Sequence, residues 1–231
     1  MTPTRLQITT IASPPGEENT LWCRSAQPVS YDAALEAMDS VVAAIRAQTG
    51  PEMVWLLEHP ALYTAGTGAK REDLRQPDRL PIHTTGRGGK WTYHGPGQRV
   101  AYVMLDLRAR GIDPRDYVRR LETWLITALG LLGVQGERRE DRIGIWVQTP
   151  RSELKIAALG VRIRHGVTLH GISLNISPNL DDFRGIVPCG LDEYGVTSLA
   201  DLGLPCTMDQ ADAALGQAWA TAFGASREGS A

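Results

Sequence analysis

The sequence predicts an α+β fold: a single domain in which a mixed, largely antiparallel sheet is flanked by helices. Three observations carry that prediction. Three helix patterns stand far apart along the chain, period-two apolar segments fill the space between them, and Ile143 to Ile176 reads as three consecutive antiparallel strands. At 231 residues the chain is long enough to bury one substantial core, so residues 1–231 are expected to form one domain, with 225–231 a flexible tail.

The first helix follows Ser30 as N-cap: Ala34, Leu35, Met38, Val41, Val42 and Ile45 keep helical spacing, and Gly50-Pro51 supplies a stop. Asp113-Pro114 opens the second with an N-cap and N1 pairing, its buried stripe being Tyr117, Val118, Leu121, Leu125, Ala128, Leu129 and Leu132, and its end Gly133. The third runs from about Thr207 to Phe223, with Ala211, Leu215, Ala218, Trp219 and Ala222 inward.

Leu6 to Thr10, Leu21 to Arg24, Met53 to Glu58 and Arg99 to Leu107 read as strands, the last two apolar enough to be central. In the three-stranded run, Ile143, Ile145 and Val147 alternate on the first strand, "TPRSE" makes a turn, and His165-Gly166 turns the chain again after the second. On the third, Val167 and Leu169 are odd and Ile172, Leu174 and Ile176 are even, so the apolar face changes parity at His170-Gly171. An inserted residue, a bulge at Gly171, is the economical explanation; such a bulge either meets a ligand or merely adds twist.

Composition excludes several classes. Lysine plus arginine number 24 against 26 acidic residues, a balance that argues against nucleic acid or a polybasic membrane surface as partner. The longest apolar run, Trp124 to Val134, falls far short of the ~20 residues a membrane span needs, and the opening residues have no basic start followed by an apolar stretch. A cytoplasmic protein is expected. Cys23, Cys189 and Cys206 form no CxxC pair, which suggests neither a zinc knuckle nor a disulfide framework.

Two residues look out of place. Lys155, in "LKIAALGVRI", shares strand parity with Ala157, Leu159, Val161 and Ile163, the apolar side; there it needs a partner or must lose its charge, unless it sits at the strand's start and reaches water. Cys189, in "GIVPCGL", is either a small buried hydrophobe or a thiol presented on a stiff Pro-Cys-Gly corner beside free backbone N–H groups. A free thiol with a pKa of about 8.5 is only a few per cent thiolate at neutral pH, and a nearby ammonium raises that fraction. Lys155 and Cys189 together would make a base and nucleophile. Cys23 and Cys206, on an expected edge strand and at a helix start, read as structural.

"TGRGGKWTYHGPGQ", residues 85–98, holds five glycines and a proline in fourteen residues. Trp91 follows Gly89-Lys90, so it is not a Walker loop, and neither Gly-x-Gly pair has the third glycine of a dinucleotide fingerprint. It is either a plain hairpin or a loop that brings backbone close to a ligand, with Arg87, Tyr93 and His94 as polar anchors. His94, His165 and His170 lack an acidic residue at ligand spacing, so no metal site is expected.

"EHPALYTAG" (58–66), "RGGKWTYHGPGQ" (87–98), "KIAALG" (155–160), "LHGISLN" (169–175) and "PCG" (188–190) resemble, in order, the signature segments of the lipoyl(octanoyl) transferases over roughly residues 20–205. The resemblance implies the fold shared with biotin and lipoate protein ligases. It implies an acyltransferase that uses no cofactor and moves an octanoyl group from acyl carrier protein to the target lysine of a lipoyl domain. Cys189 takes the place of the acyl-thioester cysteine and Lys155 that of the lysine that activates it. Substrate contacts are implied at Arg87, Gly88, Gly89, Lys90, Trp91, Thr92, Tyr93 and His94, at Ala158, Leu159 and Gly160, and at Gly171, Ile172 and Ser173. Octanoyl-acyl carrier protein is the implied donor, and the lipoyl domains of 2-oxoacid dehydrogenases and the glycine cleavage H protein are the acceptors, met by a monomer. Arg138, Arg139, Arg162, Arg164 and Arg184 are candidates for docking acidic partners. Leu169 stands where an aromatic residue is common in the family. Rival readings are an ATP-dependent lipoate or biotin protein ligase, a cysteine acyl hydrolase, and a fatty-acyl binding module without chemistry.

Overall fold

A computed structural model of the chain describes residues 6–17, 19–187 and 194–224. Eleven strands and three α-helices are found among them. The main sheet runs β1 (Ile8–Ile11), β2 (Thr20–Ser25), β3 (Glu52–Leu57), β7 (Gln98–Met104), β10 (Val167–Asn175), β9 (Glu153–Arg164) and β11 (Gly195–Val196), with β8 (Ile145–Gln148) beside β9. A smaller sheet orders β5 (Ile82–Thr84), β4 (Leu62–Ala65) and β6 (Trp91–His94). Only the β2·β3, β9·β11 and β4·β5 pairs are parallel, which makes both sheets mixed and the main one largely antiparallel, as expected. Cys23 lies inside the sheet, between β1 and β3, rather than on an edge.

Side-chain capping marks the start of two of the three helices. α1 (Tyr31–Arg46) follows an extended Ser30 that makes no side-chain cap, and Gln48, at φ 57, turns the chain before Gly50. α2 (Pro114–Leu131) starts on Asp113, whose carboxylate accepts from the Arg115 N–H at 2.8 Å, and Gly133 (φ 81) ends it. α3 (Met208–Phe223) opens on a reciprocal Thr207–Gln210 capping box. The expected stripe of α3 is buried throughout; that of α2 also includes Trp124 and Glu122, while Val118 and Leu132 are only half-buried.

Helices cover both faces of the main sheet. α1 packs on one through Met38 and Val42 against Trp55, Tyr102, Val167 and Leu169. α2 and α3 pack on the other, where Trp22, Trp124 and Trp219 meet edge to face and the indole N–H of Trp124 donates to the Leu215 carbonyl at 2.7 Å.

That two-sided burial corrects the reading of β10. Val167 and Leu169 pack toward α1 while Ile172, Leu174 and Ile176 pack toward α2 and α3, so the parity change needs no inserted residue. The ladder from Val167↔Arg164 to Leu174↔Ala157 is unbroken. The local irregularity is His170, at φ 62, followed by a glycine whose added Cβ would stand 2.1 Å from the Ala101 carbonyl oxygen. The register shift occurs instead on β9: Ile145 pairs with Ala157 and Trp146 with Lys155, leaving Ile156 as the extra residue.

Candidate active site

Segments far apart in sequence meet at one cleft on the α1 side of the sheet. The glycine-rich segment and β6 bring Arg87, Gly89, Lys90, Trp91, Thr92 and His94; the middle of β9 brings Ala158, Leu159 and Gly160; β10 brings Gly171, Ile172 and Ser173. The last two groups meet by register, with Ala158 opposite Ser173 and Gly160 opposite Gly171. Tyr31, Val100, Tyr102 and His170 complete the lining. Two expected contacts lie elsewhere. Tyr93 turns into a separate core, 4.9 Å from the ring of Phe183, and Gly88 donates its N–H to the Val161 carbonyl and borders an adjoining groove with Val118 and Ile143.

Lys155 occupies a small recess that shares Thr92, Ala158 and Ser173 with the cleft. It is 5% exposed, so it does not escape to water. Nor does it share a face with Ala157. The extra residue Ile156 lets Ile156 and Ala157 both join the α2/α3 core, and Lys155 turns to the opposite, cleft side with its cross-strand partner Trp146. Its Nζ donates to the Ile143 carbonyl at 2.7 Å and lies 5.3 Å from the centre of the Trp146 ring.

Cys189 lies outside the described residues. The chain on either side is fixed: the Val187 N–H donates to the Asp73 carbonyl at 2.7 Å, and β11 pairs with Leu154 and Lys155 in parallel.

The turn that carries Arg87 is clamped by backbone bonds, Thr67 N–H to Arg87 O and Gly68 N–H to Gly89 O. The Arg87 guanidinium is buried. It donates to the Thr64 hydroxyl and carbonyl and to the carbonyls of Gly88 and Lys90, which makes it a fixed positive charge on the cleft wall. The nearby imidazoles are neutral at pH 7. Burial pushes His170 down to about 4, with help from Arg87 and Arg162, and burial likewise brings His59 to about 4 and His94 well below its ordinary value.

Hydrogen bonds fix the tautomers. The Nδ1–H of His59 donates to the Val29 carbonyl, so Nε2 accepts from the Tyr102 hydroxyl at 2.7 Å. Gln98 gives its Nε2–H groups to Asn175 and the Tyr93 carbonyl, so its oxygen accepts from Nδ1–H of His94 at 2.7 Å. The Nε2 of His94 keeps its lone pair.

Sequence reasoning had no signal for Tyr31 and Val100, which read as ordinary helix-start and strand residues. His59 was legible only as part of the "EHPALYTAG" segment, and Trp146 carried no signal, because the insertion that pairs it with Lys155 lies at Ile156, among apolar neighbours. Among the docking arginines, Arg138 pairs with Glu122, Arg139 with Glu137 and Glu153, Arg164 with Asp39, and Arg184 with Asp181. Among the described residues no helix is long and apolar enough to cross a membrane.

Residues 30–220 match the lipoyl protein ligase A/B catalytic domain. An octanoyltransferase of Paramagnetospirillum magneticum is 60% identical over 205 residues, spanning 88% of this chain and 97% of that protein. By fold, a crystal structure of lipoate-protein ligase A bound with ATP superposes with a TM-score of 0.65 at 15% identity, covering 86% of this chain and 84% of that one. The biotin protein ligase of Aquifex aeolicus in complex with biotin and ATP gives 0.54 at 11% identity, covering 89% and 70%. The chain therefore belongs to the lipoyl protein ligase A/B catalytic domain family, and within it to the octanoyltransferases.

Proposed function

We propose that this protein transfers an octanoyl group from octanoyl-acyl carrier protein to the target lysine of lipoyl domains through a thioester on Cys189. The observation that carries the thioester route is the placement of Lys155: a buried amine in a recess of the cleft, on the strand that pairs with β11, just beyond the cysteine segment.

In this reading Lys155 takes the thiol proton of Cys189. The thiolate attacks the octanoyl thioester carbonyl, the tetrahedral intermediate collapses, and the departing carrier thiolate recovers the proton from Lys155. Thioester replaces thioester, so the step is nearly isoenergetic. The neutral amine of the lipoyl-domain lysine then attacks the acyl-cysteine; Lys155 accepts the proton released as the amide forms, and Cys189 leaves as thiolate. Amide formation drives the sequence forward.

In this reading the acyl chain runs along the apolar cleft wall at Trp91, Val100 and Tyr102, where each buried methylene would contribute about 0.8 kcal/mol and so make chain length a matter of depth. Acceptors are the lipoyl domains of 2-oxoacid dehydrogenases and the glycine cleavage H protein, and the reaction is assigned to the cytoplasm. A ligase reading requires adenylate formation from free octanoate and ATP; a hydrolase reading requires free octanoate as product.

The test is intact-mass analysis after incubation with octanoyl-acyl carrier protein, with mapping of the adduct and a chase with a lipoyl domain. An octanoyl adduct on Cys189 that moves to the lipoyl lysine is expected. Transfer at the wild-type rate by Cys189→Ala would sink the covalent route.

A further inference from the structure

We propose that residues 142–146 form a sleeve that fixes the side-chain nitrogen of Lys155 at the cleft, with Gly144 and Trp146 as positioning residues for acyl transfer; the inference rests on the Cys189–Lys155 reading above. A lysine side chain is long and flexible, and a base must be within hydrogen-bond reach of the proton it moves. Four features of this segment restrict Lys155, none of them required merely to close a core.

Ile143, although apolar, is 58% exposed, and its carbonyl takes the hydrogen bond from Nζ. Gly144 follows at φ 129, and a Cβ there would stand 2.2 Å from Cε and 2.8 Å from Nζ of Lys155. Only a glycine lets the lysine pass so close to this backbone. Trp146 is the register partner of Lys155 and holds its ring 5.3 Å from Nζ.

Trp146 is itself braced. It is 1% exposed, and its backbone exchanges two hydrogen bonds with Glu137, at 2.8 and 2.9 Å. The Arg142 guanidinium lies 4.7 Å from its ring centre and 4.2 Å from that of Tyr194, and the two rings meet at 70°. Arg142 is held by Asp141 and Glu153. Tyr194 immediately follows the cysteine segment, so the brace joins the chain beyond Cys189 to the ring that carries Lys155.

The experiment measures the pH dependence of Cys189 alkylation by iodoacetamide, together with kcat and KM for octanoyl-acyl carrier protein, in the full chain. The variants are Lys155→Ala, Gly144→Ala, Trp146→Leu and Trp146→Phe, each checked for fold by circular dichroism. Among the described residues, Arg142 and Tyr194 lie across Trp146 from Lys155 and Glu153 lies on its own strand; all are retained in every variant.

Gly144→Ala and Trp146→Leu are expected to move the alkylation midpoint upward toward that of Lys155→Ala and to lower kcat about a hundredfold with KM little changed. Trp146→Phe, which keeps a ring face, should recover most of both. If Lys155→Ala shifts the midpoint but Gly144→Ala and Trp146→Leu leave it at the wild-type value, the sleeve is ordinary packing and the inference is wrong, even if kcat falls. If Lys155→Ala itself leaves the midpoint in place, the cysteine–lysine reading fails first and takes the sleeve with it. Should Trp146→Leu not fold, Gly144→Ala and Trp146→Phe decide the matter.

Discussion

The side-chain amide of Gln98 donates to the side-chain oxygen of Asn175 across 2.9 Å, between two residues that also face each other in the β7·β10 ladder. Asn175 in turn donates to the Thr197 carbonyl, and Gln98 receives the Nδ1–H of His94. A cleft imidazole is thus tied through two buried amides to the chain just past β11. Asn175→Ala leaves the Gln98 amide and the Thr197 carbonyl short of a partner and should cost about 1–3 kcal/mol. Chemical unfolding checks it. A double-mutant cycle with Gln98→Ala should show coupling of about 0.5–3 kcal/mol, since the two side chains act as one unit.

Alkylation should find one thiol first. Cys23 is 2% exposed and Cys206 half-buried, and burial raises both thiols above their ordinary value. Limited treatment with iodoacetamide near pH 7 followed by peptide mapping should label Cys189 ahead of the other two. Cys206 appearing first would count against an activated Cys189.

Stability should fall on mild acidification. His59 and His170 are held near 4 in the folded protein, below the ordinary 6.5, so the unfolded chain binds more protons between these values. Their contribution is intact above pH 6.5, declines as pH falls toward 4, and is then constant. Each accounts for on the order of 3 kcal/mol across that window. His170→Asn should flatten the dependence of Tm on pH between 6.5 and 4, and an unchanged slope would show that the ring is protonated in the fold.

Arg110 fastens the segment before β2 to the sheet. Its guanidinium reaches Glu17, Glu52 and the Thr20 hydroxyl, and both carboxylates are largely buried. Arg110→Met strands two acidic groups and should lower stability by about 3–5 kcal/mol. Arg110→Met with Glu17→Gln and Glu52→Gln should recover much of that loss, measured as Tm.

The helices were legible in the sequence because their termini carry chemistry: Asp113-Pro114 and the Thr207–Gln210 box mark starts that no tertiary contact overrides. The central strands were legible for the opposite reason, since Val100 to Met104 has no polar face to hide. Parity misled where one buried face was assumed. On β10 the odd positions before His170 meet α1, and those after it, Gly171 and Ser173, open on the cleft, so the small and polar residues there mark the cleft wall rather than an insertion. The real insertion, Ile156, left no trace in hydropathy because both it and Ala157 are apolar and buried. Lys155 was singled out correctly as a buried oddity, for a side of the sheet it does not face. Most expected contacts of the glycine-rich segment do converge, but Tyr93 alternates away from Thr92 and His94 as β6 requires.

The extra residue on β9 makes the address of the lysine a matter of phase as well as identity. Straightening the strand with Ile156 kept in place would carry the amine through the sheet to the tryptophan-lined interior while every residue kept its chemistry, a displacement by geometry rather than by substitution. Anyone transplanting this lysine onto another scaffold must therefore carry the irregular stretch of strand with it.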